Sequence, residues 1–127
     1  MDDGYTIAEV AERTGLTAHT LRYYERAGLL SPPERGTNGH RRYSDVDLGM
    51  LRILTRLKAT RMSIAEMRRY AELCRTGSAT FEARRLLLEE HRQQVLERIA
   101  GLRTDLELIE SKIKFYAEGD TRDLARP

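Results

Sequence analysis

The feature that most limits how this chain can fold is a run of apolar residues in its last third. Val95, Ile99, Leu102, Leu106, Ile109, Ile113 and Tyr116 follow one another in alternating steps of four and three without a miss. On a helix, that spacing lines one side with apolar groups every 3.5 residues on average, the seam of a coiled coil. The helix itself is predicted over roughly residues 80–118, after the break at Gly77-Ser78, and at 1.5 Å per residue it extends about 58 Å. The remaining residues form too small a domain to cover a helix of that length. The seam therefore predicts a partner helix, most simply the same helix of a second chain, giving a homodimer; packing back on its own monomer is the alternative. Continued backwards, the seam meets Leu88 and Phe81 but also Arg85 and Arg92, so it loosens there.

With 127 residues, the chain has room for one modest core or for a small domain and an extension, which excludes a large catalytic domain. Charged residues make up 33% and aromatics 6%, with no Trp, favouring a helical protein with much exposed surface. The single cysteine rules out an internal disulfide and the cysteine clusters of most structural zinc and iron–sulfur sites. No metal or cofactor is expected. There is neither an apolar run of 18 residues nor a signal-peptide pattern, so a soluble, cytoplasmic protein with no membrane partner is expected. The net charge of +2 hides an asymmetry. Residues 17–61 hold nine Lys/Arg against four acids, whereas residues 71–127 hold ten against eleven. A polyanion is therefore the expected partner of the first part only.

Along the chain, Thr6 with Glu9 forms a capping-box pattern that opens a helix to about Thr14, with Ile7, Val10 and Ala11 as its apolar side and Gly15 as its left-handed end. Thr17 caps a second helix, and the pair makes a helix-turn-helix. Residues 29–35, with Pro32-Pro33, are extended. Asn38-Gly39 is the turn of a small wing, and residues 40–43 are its return strand. A surface hairpin without a ligand fits this segment as well. Ser44 and Asp47 cap a third helix whose apolar side is Val46, Met50, Ile53, Leu54 and Leu57, opposite Arg52, Arg56 and Lys58. Ser63 and Glu66 open a fourth, with Ile64, Met67, Ala71 and Cys74 on one stripe. That spacing makes Cys74 a buried core residue rather than a redox or metal sensor. The corner at Arg61-Met62 brings Lys58 and Arg61 together as a second basic contact. The division expected is residues 1–76 as a winged helix-turn-helix domain, 77–119 as the dimerisation helix and 120–127 as a flexible tail.

The second helix carries the most telling chemistry. Leu21 and Tyr24 face one way, while His19, Arg22, Tyr23 and Arg26 fall at i, i+3, i+4 and i+7 on another face. Two guanidinium groups, an imidazole and a phenol on one stripe suit phosphate oxygens and guanine edges in a DNA major groove. An ordinary solvated face accounts for a basic stripe too, and it is the flanking wing and coiled coil that weigh against it. The candidate DNA-binding residues are Thr17, His19, Arg22, Tyr23, Arg26, Arg41, Arg42, Lys58 and Arg61.

Three strings, Thr6-Ile7-Ala8-Glu9-Val10-Ala11, Thr20-Leu21-Arg22-Tyr23-Tyr24-Glu25-Arg26-Ala27-Gly28-Leu29 and Asn38-Gly39-His40-Arg41-Arg42-Tyr43, give the chain its likeness to a known family. With them, it resembles the MerR family of bacterial transcription regulators over nearly its whole length. The resemblance implies a mainly α fold: a winged helix-turn-helix domain followed by a long dimerisation helix that forms an antiparallel coiled coil. It also implies binding as a homodimer to a palindromic, double-stranded promoter site with an overlong spacer. An effector then makes the dimer bend and untwist the DNA, so that RNA polymerase is reached indirectly through the promoter. By the same resemblance Arg22 reads the groove, Tyr23 contacts the backbone and Arg41 or Arg42 is the wing arginine at phosphate, while Tyr24 and Tyr43 are packing residues.

Effector chemistry does not follow from the family. Mercury- and copper-type members use several cysteines near the long helix, and after Tyr116 this chain has neither Cys nor His. The iron–sulfur members' cysteine cluster is missing, and the separate C-terminal domain of drug-binding members has no counterpart here. The thiol-responsive, aldehyde-linked subset places cysteine where this chain has Arg56. An organic effector near Met67, Tyr70 and the partner's Tyr116 is the remaining expectation. An enzyme fails on parts, because His19, His40 and His91 are scattered over three elements and no Gly-rich phosphate loop follows a strand. A coiled-coil adaptor that does not bind DNA is the alternative the seam alone would serve.

Overall fold

Each of the first four helices starts at a hydroxyl that replaces a missing helical partner. The computed structural model describes residues 4–30, 34–35 and 41–119, the side chains of Glu34, Arg35 and Arg41 excepted. Thr6 accepts from the Glu9 amide at 3.1 Å while the Glu9 carboxylate accepts from the Thr6 amide at 2.9 Å, opening α1 (Ile7–Thr14). These bonds hold the Glu9 carboxyl below the usual carboxylate range. Thr17 accepts from Thr20 at the start of α2 (Ala18–Arg26). A second capping box, Ser44 with Asp47, opens α3 (Asp45–Ala59), and Ser63 caps α4 (Ile64–Thr76) through the Glu66 amide. A cap of this kind contributes about 1 kcal/mol. All four were expected from the sequence, as was the left-handed Gly15 that ends α1.

Between α2 and α3 runs an antiparallel pair, β1 (Glu34–Arg35) and β2 (Arg41–Arg42), with Glu34 opposite Arg42 and Arg35 opposite Arg41. Beyond β2, Tyr43 exchanges both backbone bonds with Tyr5, at 2.7 and 2.8 Å, which ties the wing's base to the segment before α1. The expected turn at Asn38-Gly39, the residues Pro32-Pro33 and the tail 120–127 lie outside the described residues.

Two compact units divide the chain, Met1–Leu88 and Glu89–Pro127. The first has its core in Val10 of α1, Leu21 and Tyr24 of α2, Leu29, Leu30 and Tyr43, Leu51, Leu54 and Leu57 of α3, and Met67 and Ala71 of α4. The stripe expected on α3 needs correction. Val46 is 79% exposed and Met50 and Ile53 are only half-buried, while Leu51, which the expected stripe left out, is fully buried. That helix has apolar groups on more than one side, and packing against α1 and α4 selects the side bearing Leu51, Leu54 and Leu57. Cys74 is likewise half-buried rather than enclosed.

A single 3-10 turn (Ser78–Thr80) leads into α5 (Phe81–Glu118), 38 residues long. At the junction Arg84 donates to the carbonyls of Leu73, Cys74 and Gly77 at 3.2, 3.2 and 2.8 Å, closing the carbonyl end of α4 with a cation. In the second unit Val95 is half-buried, and the other six seam positions are 39–66% exposed. Leu96 and Leu108, off the seam, are exposed as well.

The corrected α3 register has a measurable consequence. Leu54→Ala should destabilise the protein by about 2–5 kcal/mol, as cavity-forming leucine truncations do, whereas Val46→Ala should stay within about 0.5 kcal/mol. Urea titrations of both variants check this, and a comparable loss from Val46→Ala would contradict the register.

Candidate nucleic-acid interface

The orientation of α2 is set by its buried stripe and by three contacts at its ends. Leu21 and Tyr24 are buried to within 1%. Glu25 accepts a hydrogen bond from the buried Tyr43 hydroxyl, which fastens the helix to the return side of the wing. At the carbonyl end, Arg68 donates to Ala27 O at 2.7 Å and Arg75 to Gly28 O at 3.2 Å. With one side so held, Thr17, His19, Arg22, Tyr23 and Arg26 are all exposed. The sequence placed His19, Arg22, Tyr23 and Arg26 on another face from Leu21 and Tyr24, and the structure leaves all four exposed there, with the Thr17 cap exposed beside them.

Helices α2 and α3 end in the same backbone motif with different residues at its strained position. After α2, the Leu29 amide bonds Tyr24 O at 2.9 Å and the Gly28 amide bonds Glu25 O at 3.1 Å. After α3, Met62 bonds Leu57 O at 2.9 Å and Arg61 bonds Lys58 O at 3.0 Å. This is the Schellman closure, whose penultimate residue takes a left-handed conformation, and the buried pairs Leu29–Tyr24 and Met62–Leu57 are its usual apolar seal. Gly28 has φ +79 without cost. Arg61 has φ 70, the one non-glycine residue with positive φ among those described, at a cost of roughly 1–2 kcal/mol. Its side chain is exposed, as is that of Lys58, whose ammonium lies 5.8 Å from the Tyr24 ring centroid. The corner expected at Arg61-Met62 is thus present, with both cations exposed and Lys58 beside α2.

Arg42 is half-buried, and its Nε is enclosed without a hydrogen-bond partner among the described residues. The Arg41 side chain lies outside the described residues, as does His40.

The residues expected near an effector differ in exposure. Met67 is fully buried, and Tyr70 is half-buried with its hydroxyl against Cys74, burial pushing the phenol above its usual range. Tyr116 is exposed on the second unit. Neither the groove lined by Arg13, Arg52 and Arg56 nor the cavity lined by Leu29, Met50, Ala71 and Cys74 is lined by any of the three.

Sequence reasoning missed Arg13. It comes to lie with Arg52 and Arg56 along one groove between α1 and α3. The i, i+4 spacing of Arg52 and Arg56 was visible, but nothing local announces that the end of α1 packs beside them.

The sequence profile of the MerR HTH family regulatory protein matches residues 5–74, which span both helices, the wing and most of α4. The chain belongs to the MerR family. A transcriptional regulator of uncharacterised role from Haemophilus influenzae is 42% identical over 112 residues, covering 88% of this chain and 83% of its own. AdhR, a transcriptional regulator of Bacillus subtilis, is 40% identical over 91 residues, 72% of this chain and 65% of AdhR. Among solved structures, HiNmlR, a MerR family regulator lacking the sensor domain and bound to promoter DNA, superposes with a TM-score of 0.79 at 41% identity over 90% of each chain. A MerR family regulator from Listeria monocytogenes gives 0.85 at 33% identity, over 91% of this chain and 88% of the other. The relatives are named as regulators, and the chain is a DNA-binding transcription regulator of this family, not an enzyme. No helix among the described residues is long and apolar enough to cross a membrane.

The strained Arg61 distinguishes function from folding. Arg61→Gly should raise stability by about 1 kcal/mol by relieving the left-handed backbone, while Gly28→Ala should lower it by about the same amount. Denaturant unfolding at one fixed protein concentration measures both. If Arg61→Gly leaves stability unchanged or lowers it, the residue is held in place by more than its side chain's use.

Proposed function

We propose that this MerR family regulator binds a palindromic promoter site as a homodimer and alters transcription by changing the shape of that DNA in response to an effector, reaching RNA polymerase through the promoter. The observation that carries the proposal is the exposed stripe of α2, His19, Arg22, Tyr23 and Arg26, on a helix whose other stripe is wholly buried. The likeness to HiNmlR, a regulator bound to promoter DNA over 90% of a comparable chain, supports the same reading. In this proposal Arg22 reads a base edge, Thr17 and Tyr23 meet the backbone, and Arg41, Arg42, Lys58 and Arg61 hold phosphates on either side. Residues 1–76 do the binding. Residues 77–119 supply the dimer through Val95, Ile99, Leu102, Leu106, Ile109, Ile113 and Tyr116, in an antiparallel coiled coil. A coiled-coil adaptor would use the same seam, but it leaves the outward cations of α2 without a task.

The division of labour is testable residue by residue. Arg22→Ala should lose about 1–3 kcal/mol on the promoter site and relax discrimination at one base position. Arg41→Ala and Arg42→Ala should weaken promoter and random DNA alike and flatten the dependence of affinity on salt. Binding titrations against both duplexes over a salt series distinguish the two patterns, and identical, sequence-independent losses from all three variants would reject the assignment.

The dimer has its own test. Leu106→Glu sets a carboxylate in the middle of the seam on both chains, where each large apolar side chain contributes roughly 1.5–3 kcal/mol on burial. Sedimentation should then find monomers, with weakened DNA binding because two half-sites are no longer held together. A variant that sediments as a dimer would place the interface elsewhere.

A further inference from the structure

The groove between α1 and α3 has no part in the sites described so far. It encloses about 550 Å³, with Leu51 as a fully buried floor and Arg13, Thr14, Leu48, Arg52, Thr55 and Arg56 around it. Its charge is one-sided. Three guanidinium groups border it, no carboxylate lines it, and among the described residues no ion pair engages any of the three. Arg13 is steadied from behind by the Tyr5 ring, 4.8 Å from its guanidinium carbon. Arg52 and Arg56 stand one turn apart on α3. The two threonines add no free donor, because Thr14 gives its hydroxyl proton to Val10 O at 2.7 Å and Thr55 to Leu51 O at 2.7 Å. Any anion recognised here is therefore met by the arginines.

We infer that this groove takes backbone phosphates of DNA flanking the bases that α2 reads, so that Arg13, Arg52 and Arg56 extend the bound length without adding sequence preference. The inference rests on the DNA-binding reading. Three guanidiniums without a close ion pair among the described residues, of which only Arg13 feels a carboxylate, Glu9 one turn back, are an unfavourable concentration of like charge in the free protein, and a polyanion relieves it. The groove adjoins the reading helix in sequence and in space. Arg13 is four residues before the Thr17 cap, and α1 packs on both α2 and α3. Planar guanidiniums match phosphate oxygens two at a time. An acidic protein segment is the less favoured occupant. Such contacts centre on a desolvated apolar or aromatic anchor, and here only Leu48 offers partly exposed apolar surface beside the enclosed Leu51.

The test uses the full chain and two duplexes, the DNA upstream of its own coding sequence and a random sequence of equal length. The variant is the triple substitution Arg13→Gln, Arg52→Gln and Arg56→Gln, all exposed positions, with circular dichroism and the unfolding midpoint confirming an intact fold. Each phosphate contact contributes about 0.9 to the slope of log affinity against log salt, so the slope should fall by about two to three. Affinity at physiological ionic strength should drop on the order of a hundredfold on both duplexes alike. Lysine at the same three positions should restore most of the slope. Unchanged affinity and slope in the glutamine variant overturn the inference and leave an acidic protein partner as the groove's occupant, while DNA binding through α2 stands. A loss confined to the upstream duplex also overturns it, because phosphates carry no sequence. If the wild type binds neither duplex, the DNA-binding reading falls with it.

Discussion

Burial of Leu21 and Tyr24 is the constraint from which the DNA-facing surface follows. With nine residues, α2 is too short to persist in water by itself, so its existence and its rotation about its own axis are both set by what it buries. Tyr24 is the larger anchor, and it does two further things. Its carbonyl receives the Leu29 amide that closes the helix, and its ring lies beneath the Lys58 ammonium. Turning the helix by one residue would expose Tyr24 and bury Arg22 or Glu25 without a partner, at a cost of several kcal/mol. The outward row of His19, Arg22, Tyr23 and Arg26 is thus a consequence of the inward pair.

Much of this was legible because it is local. A hydroxyl followed three residues later by an acid caps its own helix, as Thr6, Ser44 and Ser63 do, and Thr17 caps α2 through the Thr20 amide without an acid. The seam on α5 is local in the same sense, since spacing alone defines it. What could not be read was decided between elements. On α3, Val46 and Leu51 are both apolar and lie on different sides, and the packing of α1 and α4 against the helix takes Leu51 into the core. On α4 the stripe of Ile64, Met67, Ala71 and Cys74 was read as inward, and packing encloses Met67 and Ala71 fully while it leaves Ile64 and Cys74 half-buried. The groove of Arg13, Arg52 and Arg56 joins residues about forty positions apart and has no signature in either segment.

Arginine serves two purposes in this chain, and the sequence does not label which is which. Arg68, Arg75 and Arg84 direct their guanidiniums into the carbonyl ends of α2 and α4, where they stand in for missing amide donors and meet the negative end of each helix. Among the described residues, no hydrogen bond engages the guanidinium of Arg22, Arg26, Arg52, Arg56 or Arg61. Net charge therefore does not report the cationic surface on offer to a polyanion, because the cations spent on carbonyls and those left outward count equally in the sum. Arg61 is the extreme case. Glycine would close α3 at lower cost, as Gly28 closes α2, and the cation is retained at an observed backbone strain of the sort that accompanies functional positions.

The second unit poses the opposite problem, too much apolar surface rather than too much charge. Ile99, Leu102, Leu106, Ile109, Ile113 and Tyr116 are between 39% and 66% exposed along one side of α5. Monomeric soluble proteins seldom leave a contiguous apolar strip of that extent in water. Joining two copies costs an estimated 4–15 kcal/mol in lost freedom, whereas each large side chain newly covered returns about 1.5–3 kcal/mol. With six such positions on each of two helices, even half of that return exceeds the lower bound of the cost and approaches the upper. Leu96 and Leu108 lie off the seam and equally exposed, so a pairing that covers the seam alone leaves them outside. In the antiparallel arrangement proposed, Leu106, near the middle of the run from Val95 to Tyr116, meets its own counterpart's neighbourhood on the partner, which is why a single charge there acts on both chains at once.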